Sequence, residues 1–242
     1  MNMSKIRTLF QRVVSPLQRF TLTTPYAILI GSGIVALSIV SYGYIIRPVT
    51  DEVRDFVKEV AKELKLKGNS WEQCLTSNET MEAINAEFTD GTQAGVTGTP
   101  TTFILVKKGS TYATVAKIEG AQTESFVRAA LDQALSGKAE TSPFTGSQIK
   151  DDELVKGKEG DVMVLEYADI QCPYCIRFHP TITSVMNDYQ NRVGFAFRHF
   201  PLTQIHPQAL PYAAAVECAG KEKGKDAYFG FIDRLFDKES GK

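Results

Sequence analysis

Two cysteines stand one helical turn apart in Cys172-Pro173-Tyr174-Cys175. The residues before them, DVMVLEYAD (161–169), form a near-continuous apolar run typical of a buried strand, and a helical pattern starts at Pro173. The pair therefore sits where a strand gives way to a helix. Free backbone N–H groups and the positive dipole end at such a point stabilise a thiolate. Pro173 suits the first turn, where its missing N–H is not needed. Cys172 is expected to be the acidic, accessible nucleophile, with Cys175 placed to resolve a mixed disulfide formed on it.

Competing chemistries fit less well. A zinc site needs a second ligand pair, whereas Cys74 and Cys218 stand singly and His179, His199 and His206 have no zinc-ribbon spacing. No metal and no cofactor are expected. A c-type haem requires His directly after Cys175, and Ile176 is there. A purely structural disulfide is the other reading of the pair.

The elements that must carry these cysteines are visible as periodicities. Val53, Phe56, Val57, Val60, Ala61 and Leu64 recur at helical spacing behind the start signals Thr50 and Asp51. A short helix is expected from about Trp71 to Leu75, opened by Ser70 with Gln73 as a capping box. Met81, Ile84 and Phe88 mark another, ending near Gly91 or Gly95. The β-rich runs 101–106 and 111–118 read as an antiparallel hairpin. Phe126, Val127, Ala130, Leu131, Ala134 and Leu135 form one helical face. Residues 136–160 lose all apolar period and read as a linker. A strand at 193–200 and helices near 207–220 and 224–237 complete the chain.

The 242 residues carry 27 basic and 28 acidic groups, a net charge of −1 that argues against a nucleic-acid partner. A 43% hydrophobic fraction argues against disorder. The charge is unevenly placed. Residues 1–47 hold Lys5, Arg7, Arg12, Arg19 and Arg47 and no acid, so the rest has 22 basic against 28 acidic groups, or −6. From Pro25 to Ile46 no group ionises, and at 1.5 Å per residue this stretch crosses a hydrocarbon core of roughly 30 Å. Basic residues before it and Asp51, Glu52 and Asp55 after it orient the amino terminus to the cytoplasm. An uncleaved anchor is expected, a cleaved signal peptide being the alternative.

VLEYADIQCPYCIRFHP (164–180), FRHFPL (197–202), His206-Pro207 and AAAVECA (213–219) together resemble the amino-terminal half of DsbA-like thioredoxin-fold oxidoreductases. The stretch around Cys74-Leu75, GVTGTPTTFI (95–104) and Gly120-Ala121 resembles the carboxy-terminal half. The resemblance implies a cis bond at Thr99-Pro100 facing the cysteines, where substrate backbone would also bind beside Pro173 and Tyr174. It implies a buried acid at Glu166 that moves protons at Cys175, a solvated strand-end acid being the alternative. It also implies a second disulfide between Cys74 and Cys218, against two separate buried thiols. Asp169 reads as loop structure, and His179 as helix packing or surface.

The halves stand in reversed order, Pro100 before Cys172. Neither offers a stable sheet alone. The expected architecture is an α/β thioredoxin-like fold with an inserted helical subdomain, circularly permuted and preceded by one transmembrane helix. Its parts are a cytoplasmic tail (1–24), the span (25–46), the cis-proline half (47–135), the linker (136–160) and the cysteine half (161–242). A monomer completes the sheet within one chain; a swapped dimer completes it between two. The implied function is an extracytoplasmic, membrane-anchored thiol–disulfide oxidoreductase. It would introduce disulfides into cysteine-containing exported proteins and be reoxidised by a membrane-embedded, quinone-linked partner. Reductase or isomerase chemistry, or peptide binding without turnover, are the alternatives.

Overall fold

A computed structural model describes residues 49–142 and 148–241, all within one compact unit, Ser38–Lys242. The expected span at 25–46 lies outside these residues. Among the described residues no helix is long and apolar enough to cross a membrane.

The elements follow in the order α1 (Asp51–Glu63), α2 (Gly68–Cys74), α3 (Asn78–Gln93), β1 (Thr101–Lys108), β2 (Thr111–Glu119), α4 (Glu124–Leu135), β3 (Val155–Gly157), β4 (Val162–Ala168), α5 (Pro173–Tyr189), β5 (Gly194–His199), α6 (Ala209–Lys223) and α7 (Lys225–Glu239). Hydroxyl caps open three helices: Thr50 accepts from the Val53 N–H, Ser77 from that of Thr80, and Thr123 from that of Phe126. Two expectations are corrected. The helix at Trp71 starts at Gly68, because the Trp71 N–H already bonds the Lys67 carbonyl at 3.0 Å. Ser70 therefore lies inside the first turn and caps nothing. Phe126 is 52% exposed, so α4 buries only Val127, Leu131 and Ala134.

The five strands form one sheet in the order β2-β1-β4-β5-β3. β4 and β5 are parallel; β1 runs antiparallel to both β2 and β4, and β3 antiparallel to β5. Strands from before and after residues 136–160 thus pair within a single chain, Thr102 opposite Glu166 and Ile104 opposite Val164. The stretch read as a linker contributes β3, which pairs Val155 with Ala196.

Every residue of β4 is buried, and its alternation feeds two cores. Val162, Val164 and Ala168 face the larger one, with Cys175, Phe178 and Ile182 of α5, Leu131 of α4 and Trp71 of α2. Met163, Leu165 and Tyr167 face the other, with Phe103, Leu105 and Phe200. Helix α3 lies tight on this second face: a Cβ at Gly91 would sit 2.9 Å from the Tyr167 ring. By alternation Glu166 points to the α5 side.

A buried ionic cluster pins the sheet to its surroundings. The Arg198 side chain is fully buried. Its guanidinium donates to Asp90, to both Glu153 oxygens, to the Gln148 carbonyl at 2.8 Å and to the Tyr167 hydroxyl at 3.0 Å. Tyr167 in turn donates to Asp90.

Candidate active site

Strand β4 ends at Ala168, and four residues later Cys172 caps α5 in extended backbone geometry, followed by Pro173 at the first helical position. Both thiols are unpaired and buried, Cys175 at 0% and Cys172 at 4% exposure, so the accessibility expected of Cys172 is corrected: it sits under the Thr99-Pro100 segment. The Thr99-Pro100 peptide is cis. It brings the Thr99 carbonyl to 3.3 Å from the Cys172 sulfur, which donates to it as a thiol.

The electrostatics divide the two cysteines. Hydrogen bonding from the Cys175 thiol is the largest influence on Cys172. Helped by Thr99 and by the N–H groups of Tyr174 and Cys175, and against burial, it brings Cys172 from 9.0 to about 5. Burial first, then the Cys172 sulfur and the Glu166 carboxylate, push Cys175 well above 9.0. Cys172 is therefore a thiolate at neutral pH and Cys175 a thiol. Glu166 is buried, and one of its oxygens has no hydrogen-bond partner. Desolvation alone raises it to about 8, so its carboxyl holds a proton at neutral pH.

Residues 150–241 match the thioredoxin family model. With the five-stranded mixed sheet, that match gives the described chain a thioredoxin-like fold and supports redox, disulfide-related function in general terms. Parts of the chain are also similar to sodium/proton antiporters. It is 40% identical over 73 residues to Na(+)/H(+) antiporter NhaA 1 of Salinispora arenicola, covering 30% of this chain and 11% of the antiporter. NhaA 3 of Salinispora tropica is 41% identical over 73 residues, with the same coverage of each chain. NhaA 1 of Mycolicibacterium vanbaalenii is 32% identical over 90 residues, covering 37% of this chain and 14% of the antiporter. The chain thus spans between 11% and 14% of the length of these relatives.

In this thioredoxin-like site the Thr99 carbonyl, just before Pro100, reaches the Cys172 sulfur, and the charge of Glu166 acts on Cys175. Tyr174 is 57% exposed beside them, with the Arg177 guanidinium 4.9 Å from its ring centre. Cys74 and Cys218 stand apart as a disulfide linking α2 to α6, their Cα atoms 5.8 Å apart, with the Thr80 hydroxyl 3.3 Å from the Cys74 sulfur. His179 belongs to packing: it bonds Asp233 at 2.9 Å and stacks on Phe236.

Two groupings carry no periodic signal and are new from the structure. Asp169, at the turn before Cys172, bonds His206 at 2.7 Å. Elsewhere Glu87, His199 and Glu217 bring one potential metal-ligand atom each within 4.8 Å of the others. Burial pushes His199 down to about 3 and Glu217 up to about 7, and raises Glu87 well above 4.5. Glu87 accepts the His199 N–H at 2.6 Å.

Proposed function

We infer that the chain is a membrane-anchored, extracytoplasmic thiol–disulfide oxidoreductase of the DsbA-like class, with its two halves circularly permuted. The observation that carries this reading is an acidic Cys172 at the amino terminus of α5, with Cys175 one turn along and the Thr99-Pro100 backbone facing it. A stabilised Cys172 thiolate favours the reduced pair and so makes the oxidised pair a strong acceptor of electrons. The permutation is supported by a sheet whose central neighbours β1 and β4 come from opposite sides of residues 136–160.

The reaction balances as a two-electron exchange. A thiolate from a cysteine pair in an exported protein attacks the Cys172 sulfur of the disulfide. The Cys172–Cys175 bond breaks, and the Cys175 sulfur leaves with the electron pair, taking a proton that Glu166 can supply. The second substrate thiolate then attacks the mixed disulfide and releases Cys172 as a thiolate. The substrate is oxidised by two electrons and the enzyme pair reduced by two. A quinone-linked membrane partner would restore the disulfide. Exposed Tyr174 and the backbone at Thr99-Pro100 are the surfaces offered to the substrate chain.

A glutathione redox titration of the full chain in detergent micelles tests the reading. A potential above about −200 mV is expected, a value near −270 mV would assign a reductase, and no reversible titration would leave a peptide-binding module.

A further inference from the structure

The Asp169 side chain is fully buried and holds three donors. Its Oδ2 accepts from His206 Nδ1 at 2.7 Å and from the Leu202 N–H at 2.8 Å; its Oδ1 accepts from the Gln171 N–H at 2.9 Å. The Asp169 carbonyl also accepts the Cys172 N–H at 3.0 Å. Next to it, Gln171 Oε1 accepts the Gln208 N–H at 2.6 Å. The loop carrying His206 is thus bonded at three points, Leu202, His206 and Gln208, to the turn that presents Cys172.

His206 keeps 13% of its side chain exposed, enough to exchange protons with water. The charged groups facing it are Asp169 on the β4–α5 turn, Cys172 at the start of α5 and Glu239 at the end of α7. Glu239 is held by the Tyr212 hydroxyl of α6 at 2.6 Å. Asp169 and Glu239 are present in both redox states. Only Cys172 changes charge when the disulfide is reduced.

We propose that His206, fixed by Asp169, binds its proton more tightly when the Cys172–Cys175 disulfide is reduced to a Cys172 thiolate, and less tightly on reoxidation. The inference rests on the oxidoreductase reading and adds where part of its second proton goes. A substrate dithiol that becomes a disulfide releases two electrons and two protons. The electrons break the Cys172–Cys175 bond, one proton ends on Cys175, and Cys172 stays a thiolate. The second proton is released, and His206 takes up the fraction of it that the rise of its midpoint allows. His206 is thereby a positioning and charge-compensating residue for Cys172, and by reciprocity its protonation favours the thiolate.

The test follows the histidine side chains of the ¹⁵N-histidine-labelled full chain, in detergent micelles, by NMR against pH. His206→Asn assigns the signal and keeps a donor towards Asp169 without a titrating charge. In reduced protein the His206 midpoint should lie above that in oxidised protein and in Cys172→Ala by roughly half a unit to one unit, the size of a partly screened single-charge interaction. His199, held near 3 by burial, should not respond. In His206→Asn the thiolate absorbance of Cys172 should titrate higher by a similar amount. Equal His206 midpoints in reduced, oxidised and Cys172→Ala protein would overturn the proposal, as would an unmoved Cys172 titration in a folded His206→Asn. A shift at His206 in a protein that oxidises no dithiol would instead retain the coupling and remove the oxidoreductase reading.

Discussion

The Thr99 carbonyl oxygen lies 3.3 Å from the Cys172 sulfur across 73 positions of sequence, while the hydroxyl of the same threonine is buried without a partner of hydrogen-bonding geometry. The carbonyl can only accept, so it serves the thiol. The hydroxyl can donate, so it becomes useful when Cys172 is a thiolate. Thr99→Val keeps the shape and removes that donor. The Cys172 midpoint, about 5 in the native chain, should rise by about one unit. Thiolate absorbance against pH measures it, and an unchanged midpoint would exclude the hydroxyl.

Glu166 shapes the pH dependence of stability. Its carboxyl ionises near 4.5 when unfolded and near 8 when folded, because burial disfavours the charged form. The folded state holds the extra proton between those values. The penalty is absent below 4.5, grows as pH rises and levels off above 8. Glu166→Gln should equal the native chain near pH 4.5 and exceed it by roughly 3–5 kcal/mol at pH 8. Urea midpoints of the oxidised proteins at both pH values decide this, since oxidation keeps the cysteines from titrating.

The same variant should slow turnover. An amide in place of the carboxyl cannot hand a proton to the departing Cys175 sulfur, so the rate of dithiol oxidation should fall by about 10²-fold at neutral pH. Stopped-flow oxidation of a dithiol peptide is the measurement, and an unchanged rate would assign the proton to water.

The Cys74–Cys218 bond closes a sequence separation of 144 positions. Replacing both with Ala should cost about 2–5 kcal/mol, read as a lower urea midpoint. Redox activity of Cys172–Cys175 should persist in that variant under conditions where it is folded.

Among the described residues, Arg198 is the cation that Asp90, Glu153 and Tyr167 gather around, and its side chain is fully buried. Arg198→Met leaves the two carboxylates without that partner. The loss should be about 3–5 kcal/mol, with Asp90→Asn costing less because Asp90 is a third exposed. Thermal unfolding of both variants gives the comparison.

Much of this arrangement is legible in sequence because it is local or periodic. The strand-to-helix setting of Cys172, the hairpin at 101–119 and the stripes of α1 and α4 all announce themselves by spacing. Glu166 and Thr99-Pro100 stand out only through resemblance, since one acid in a strand has two readings until its burial is seen. β3 escapes because three residues among Gly, Lys and Asp carry no period; only pairing with β5 makes them a strand. Phe126 misleads because a helical stripe is wider than the surface α4 covers. His206 with Asp169, and Glu87 with His199, join loops and elements 37 and 112 positions apart, and such meetings leave no mark on local spacing.

The Cys74–Cys218 bond also changes what an interruption of the chain would mean. Its two sulfurs stand on opposite sides of residues 136–160, so a nick near Gly137 leaves both fragments covalently tethered. On a gel such material should migrate as one species until reductant is added, and then as two. Connectivity of the folded body is therefore redundant. One route runs through the peptide backbone and the other through sulfur.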